Sequence, residues 1–149
     1  HMGVKLKHNA NQKLLEGKRV VLVDDSIVRG TTSRKIVQLV RDAGATSVHM
    51  RIASPPITSA DYYGVDTPNE TDLLAAQMSV EQMRDHIGVD SLGFVSLDGL
   101  YRAAGEPNRN NNTPQFCDSC FSGDYPTELT DLADRENTSK IALLSEARG

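Results

Sequence analysis

The sequence predicts an α/β protein built on a parallel sheet. Three observations carry this. Val20-Val21-Leu22-Val23 is an unbroken apolar and mostly β-branched run, the pattern of a strand covered on both faces. Apolar residues Ile36, Val37, Leu39, Val40 and Ala43 recur at helical spacing over 33–43. Residues 47–53 (SVHMRIA) then alternate as a second strand. Strand, loop, helix and strand in that order form a unit whose crossover is right-handed, so its two strands run parallel.

The remaining elements follow in order. Thr31 or Thr32 is expected to cap the helix and Gly44 to close it. Pro55-Pro56 end the second strand, because neither can donate to a ladder. Gly64 and Pro68 mark 57–70 as loop. Helices are expected over 70–78 and 80–87, the second opened by Ser79, which with Gln82 fits a capping box. Residues 91–97 read as a short strand, and Asp98 as the cap of a helix through Ala104. Residues 105–114 (GEPNRNNNTP) are polar and expected to be mobile. The tail offers Ile141, Leu143 and Leu144 for a last helix, or frays. His1-Met2 reads as a cloning remnant, 3–104 as the sheet-bearing domain, and 105–149 as a partly mobile helical C-terminal extension. There is no internal repeat.

The length of 149 residues suits one domain. Hydrophobic residues at 38% and charged residues at 24% argue against collagen, a disulfide-dense scaffold or wholesale disorder. No apolar run approaches the roughly 18 residues of a membrane helix, so no membrane partner is expected. The opening HMGVKLKHNA has no hydrophobic signal core, and the two Cys suit a reducing, cytoplasmic compartment. Ten of the 16 Lys/Arg but only four of the 20 Asp/Glu fall in residues 1–51. Such a basic segment suits phosphate-bearing ligands. It lacks an aromatic-interleaved basic stripe, so nucleic acid is not expected as a partner.

The chemistry concentrates in residues 20–35, VVLVDDSIVRGTTSRK. A strand delivers Asp24 and Asp25 at its C-terminal end, the edge at which open α/β sheets bind ligands. Ser26, Ile27, Val28, Arg29 and Gly30 form a bend that feeds through Thr31 and Thr32 into a helix N-terminus, where free N–H groups favour anions. The loop thus offers a phosphate cradle, with Arg29 as cation and Gly30 allowing close approach. The carboxylates offer acceptors for sugar hydroxyls or a hydrated Mg²⁺. Singly, a paired Asp is more often a turn, and a Gly-Thr-Thr stretch a helix cap. In this order they point to a phosphorylated sugar. The string is neither a Walker A loop nor a GxGxxG fingerprint.

VLVDDSIVRGTT resembles the phosphoribosyl-pyrophosphate (PRPP) motif of type I phosphoribosyltransferases. KLKHNAN at 5–11, VRDAGA at 40–45, RIASPPI at 51–57, DYYGVDTP at 61–68 and CFSGDYPTEL at 120–129 narrow the likeness to the amidophosphoribosyltransferases. It covers nearly all of 3–130. It implies a partial type I phosphoribosyltransferase fold, a Rossmann-like parallel sheet. It also implies the reaction in which ammonia from glutamine displaces pyrophosphate at C1 of PRPP, giving 5-phosphoribosylamine. On that resemblance Thr31, Thr32 and the Ser26–Gly30 backbone hold the 5-phosphate. Asp24 and Asp25 receive the ribose hydroxyls and help position Mg²⁺. No residue is expected to act as a general base. PRPP and purine nucleotides are the implied ligands.

The family's glutaminase domain, with its N-terminal catalytic Cys, and the first part of its phosphoribosyltransferase domain have no counterpart here. The chain is therefore expected to be a fragment without glutamine-dependent activity. Its uncovered sheet edge is expected to drive homo-oligomers. A small phosphoribosyltransferase with another acceptor and a non-catalytic PRPP- or nucleotide-sensing module are the rival readings.

Some family members hold an iron–sulfur cluster with four Cys. Cys117-x-x-Cys120 matches two of these, but Asp61 stands at the third place, which argues against a cluster. Free thiols are expected, with a disulfide or adventitious zinc as alternatives. Lys5, Lys7 and His8 stay open between anion contacts and a solvated tail. His49 and His86 are expected to be structural or surface residues.

Overall fold

A computed structural model of the chain describes residues 10–64 and 70–129. In order they form α1 (Gln12–Leu15), β1 (Arg19–Asp24), α2 (Thr31–Asp42), β2 (Ser47–Ile52), a 3-10 turn (Glu70–Asp72), α3 (Leu74–Gln77), α4 (Val80–Ile87), β3 (Ser91–Phe94), α5 (Leu97–Ala103) and α6 (Ser119–Ser122). The strands make a parallel sheet in the order β1-β2-β3. Asp24 lies opposite Ile52, and Ile52 opposite Phe94, so all three strands end near one edge. Lys5, Lys7, His8, Pro68 and the tail from 130 lie outside the described residues.

The core forms between the sheet and its helices. Val48, Met50 and Ile52 of β2 are buried on one face, and Val37, Val40, Met83 and Ile87 of α2 and α4 pack with them. Each such side chain contributes about 1.5–3 kcal/mol by leaving water. On β2's other face, the His49 ring meets the hydroxyls of Ser91 at 2.9 Å and Ser47 at 3.2 Å, a structural role.

β1 departs from its expected double burial. Val20 and Leu22 pack against the core, but Val21 and Val23 are 59% and 76% exposed. Among the described residues β1 is an edge strand, and the face carrying Val21 and Val23 stays open.

Helix boundaries shift for identifiable reasons. Gly30, not Thr31 or Thr32, is the N-cap of α2, which therefore starts two residues earlier than its apolar spacing indicates. The Gly44 N–H closes its far end on the Arg41 carbonyl at 2.9 Å. The helix expected over 70–78 is broken, because the Leu74 N–H donates to the distant Val28 carbonyl at 2.8 Å. The Ser79–Gln82 capping box of α4 forms as expected. Ser96, rather than Asp98, caps α5, accepting from the Gly99 N–H at 3.1 Å. Asp98 sits in the first turn, where a carboxylate favours the helix dipole. Like α3, helices α1 and α6 span one turn each, too few residues for periodicity to reveal them.

The polar segment 105–114 is tied down through Arg109. Its guanidinium meets Asp118 at 2.6 Å and Asp124 at 2.7 Å. Asp118 also accepts from the buried Tyr101 hydroxyl at 2.7 Å. Segment 57–60 is held from the same region, since the Thr58 and Ser59 N–H groups donate to the Cys120 carbonyl at 3.0 and 3.1 Å.

Candidate phosphate-binding site

β1 remains laddered up to its last residue, where the Ala53 N–H donates to the Asp24 carbonyl at 2.9 Å. The chain then leaves the sheet with both carboxylates at its edge. Asp24 Oδ1 accepts from the Asp25 N–H at 3.0 Å, and Asp25 Oδ1 from the Ser26 hydroxyl at 3.3 Å. These contacts leave most carboxylate lone pairs available to a ligand.

The bend that follows is anchored from below. Ile27 is 2% exposed and belongs to the core, which pins the bend to the body of the domain. The Val28 carbonyl is taken by Leu74. Gly30 is buried with φ +70°, a left-handed conformation that turns the chain straight into α2. A Cβ there would lie 2.7 Å from Leu74 Cδ2, so glycine answers both a backbone and a space requirement.

No side chain caps the N-terminus of α2. Arg34 is the first residue of that helix to donate to the carbonyl four positions back, Gly30, at 3.0 Å. The N–H groups of Thr31, Thr32 and Ser33 therefore have no intrahelical acceptor and carry the positive end of a three-turn helix. The Thr31 and Thr32 side chains are exposed beside them, while Ser33 is buried.

Residues 24–33 together line a single cleft of about 540 Å³. It gathers all nine sequence-predicted residues, Asp24, Asp25, Ser26, Ile27, Val28, Arg29, Gly30, Thr31 and Thr32, on one concavity. The lining combines the carboxylates of Asp24 and Asp25 with the hydroxyls of Thr31 and Thr32 and the amides that open α2. Such a lining is chemically suited to a ligand that carries both hydroxyls and a phosphate. Sequence reasoning missed Leu74 and Asp72, which act on the loop from more than forty positions away. No local pattern announces them.

Mg²⁺ fits this donor set in one way. It commonly binds one or two carboxylates and completes its shell with water and substrate phosphates. Asp24 and Asp25 supply such a pair. Among the described residues no cluster of three or more His, Cys, Asp or Glu forms a self-contained site. The site thus suits a cation arriving with a phosphorylated ligand.

Cys117 and Cys120 are both free thiols. Burial, and then the charge of Asp61, push the Cys120 thiol above its ordinary pKa. A thiol held protonated is a poor metal ligand and a poor nucleophile.

No protein-family model matches the chain. It is 58% identical to the amidophosphoribosyltransferase of Rhizobium etli over 144 residues, which is 96% of this chain and 29% of that protein. It is 57% identical over 129 residues to a chloroplastic amidophosphoribosyltransferase of Arabidopsis thaliana, covering 87% of this chain and 22% of the relative. Among solved structures, the glutamine PRPP amidotransferase of Bacillus subtilis complexed with ADP and GMP superposes with a TM-score of 0.74 at 50% identity. That match covers 81% of this chain and 26% of the other. A second structure, described as the allosteric regulatory enzyme of purine biosynthesis, matches at TM-score 0.71 and 48% identity. The chain thus spans 22–29% of the length of these curated relatives. By sequence and by fold, it corresponds to a segment of the amidophosphoribosyltransferases and carries part of their type I phosphoribosyltransferase fold.

Proposed function

We propose that the cleft binds PRPP and that the chain supplies this part of the site to an amidophosphoribosyltransferase, which opens purine biosynthesis by forming 5-phosphoribosylamine. The continuous lining of the cleft by residues 24–33 carries the reading. The N–H groups and hydroxyls of Thr31 and Thr32 take the 5-phosphate, and Asp24 and Asp25 take the ribose hydroxyls. Mg²⁺, when bound with PRPP, neutralises charge on the departing pyrophosphate. The residues themselves act by positioning the ribose so that ammonia meets C1 while preorganised donors and acceptors hold the rest. No glutamine chemistry is assigned to these residues. The nucleotides of the Bacillus subtilis complex support purine nucleotides as competing ligands.

The test is calorimetric titration of PRPP with Mg²⁺ into the chain and into an Asp24→Asn/Asp25→Asn variant. The variant is expected to lose at least about tenfold in affinity, the worth of one lost charge-assisted hydrogen bond or more. Equal binding by both removes the carboxylates from the site.

Homo-oligomers in a cytoplasmic setting complete the reading. The free thiols suit a reducing compartment. No helix among the described residues is long and apolar enough to cross a membrane. Among the described residues the unpaired edge of β1 and the exposed Val21 and Val23 favour association. Sedimentation velocity is expected to show a mass that rises with concentration. A monodisperse monomer throughout overturns this point.

A further inference from the structure

Arg29 is the one cationic side chain among the residues lining the cleft, and it stands with two acids. Among the described residues, a phosphate-bearing ligand therefore meets a single side-chain cation there. That cation is already engaged: Arg29 Nη2 lies 3.1 Å from Asp72 Oδ2. Asp72 is not part of the lining. It ends the 3-10 turn that precedes Leu73 and Leu74, which are 0% and 6% exposed. Leu74 in turn is bonded to Val28 and packed under Gly30. The acid thus sits beside a buried anchor hydrogen-bonded to the loop itself, whereas the Arg29 side chain is long and 57% exposed. A single guanidinium nitrogen makes the contact, so the pair is easily traded for another anion.

We propose that Asp72 is a positioning residue that acts through Arg29. In the free chain it holds the guanidinium at the rim of the cleft, and a ligand phosphate draws Arg29 off it on binding. Asp72 then lowers affinity for every phosphate ligand by competing for the cleft's cation. It also keeps that cation paired when the cleft is empty, so weak anions do not fill it. The inference rests on the cleft being a phosphoribosyl site.

The sign distinguishes this from simple support. A residue that only braced the loop would weaken binding when removed. A competitor strengthens it. The expected size follows from an exposed ion pair, about two- to fivefold in affinity.

The experiment is calorimetry on the full chain with ribose 5-phosphate and with PRPP plus Mg²⁺, at fixed ionic strength. Asp72→Asn is expected to bind both about two- to fivefold tighter than the wild type. Arg29→Gln is expected to bind more weakly. Arg29→Gln/Asp72→Asn is expected to match Arg29→Gln, because Asp72 has nothing left to compete for. Asp72→Glu, which restores the charge, is expected to return toward wild-type affinity. Unchanged or weaker binding by Asp72→Asn, or equal gains with and without Arg29, overturns the proposal. Thr31→Val/Thr32→Val separates the two levels. If it binds as well as the wild type, the phosphate reading of the cleft fails. If it loses binding while Asp72→Asn shows no gain, only the competition fails. A wild-type chain with no saturable binding of either ligand overturns both.

Discussion

Replacing Arg109 by Met is expected to destabilise the chain by about 3 kcal/mol or more, the cost of leaving a buried carboxylate unpaired. Asp118 is 4% exposed and receives the Arg109 guanidinium at 2.6 Å and the Tyr101 hydroxyl at 2.7 Å. Burial alone raises its pKa. Arg109, with Tyr101 and Ser122, outweighs that and holds the carboxyl below the ordinary range. The same burial, and then Asp118, push the Tyr101 hydroxyl above its usual pKa, which keeps it a donor. Removing the guanidinium strips Asp118 of its charge partner and leaves Asp124, half-exposed, to return to water. Thermal unfolding is expected to shift down by roughly 10 °C for a chain of this size.

The pH dependence carries the sign. Asp118 has a depressed folded pKa, so its contribution is present above the unfolded value near 3.9 and is lost as pH falls through the lower folded value. In Arg109→Met the folded pKa moves up, because only the Tyr101 and Ser122 hydrogen bonds are left to oppose burial. The gap between the two proteins should therefore be widest near neutrality and narrow as the solution is acidified. Arg109→Met/Asp118→Leu should recover part of the loss, since it removes the orphaned charge. A melting temperature unchanged in Arg109→Met shows that the pair adds nothing.

This network also marks where sequence reading reached its limit. The strand–loop–helix–strand unit was legible because its pattern is local: β-branched residues over 20–23, apolar spacing over 33–43, alternation over 47–53. That Asp24 to Thr32 would share one concavity was legible for the same reason, since they are contiguous. Arg109 sits in a run of Asn and Pro that reads as unstructured, and its partners lie nine and fifteen positions on with no periodicity to link them. Leu74 belongs to an ordinary apolar stretch until its N–H is seen on Val28. Val21 and Val23 carry the pattern of a doubly covered strand, yet one face is open among the described residues. Composition records what a strand is suited to pack against, not what is there.

Gly30→Ala separates the loop's shape from the rest of the fold. The substitution meets two costs. The left-handed φ of +70° charges any L-residue about 1–2 kcal/mol. The new methyl also lies 2.7 Å from Leu74 Cδ2, and Leu74 is 6% exposed, so it has little room to retreat. Gly17 supplies the control. It has the same φ of +70°, but a Cβ there meets nothing within 4 Å. Gly17→Ala is expected to show the backbone cost alone, while Gly30→Ala adds displacement of Leu74 and of the Val28 carbonyl it holds. Both variants should stay folded. Only Gly30→Ala should lose PRPP affinity, by at least about tenfold, because the amides at the start of α2 no longer converge on one phosphate. Hydrogen exchange should locate the difference, with faster exchange at Leu74 in Gly30→Ala and not in Gly17→Ala. Should Gly30→Ala bind PRPP as the wild type does, the bend cannot be what grips the phosphate, and the donors must be sought elsewhere on the cleft.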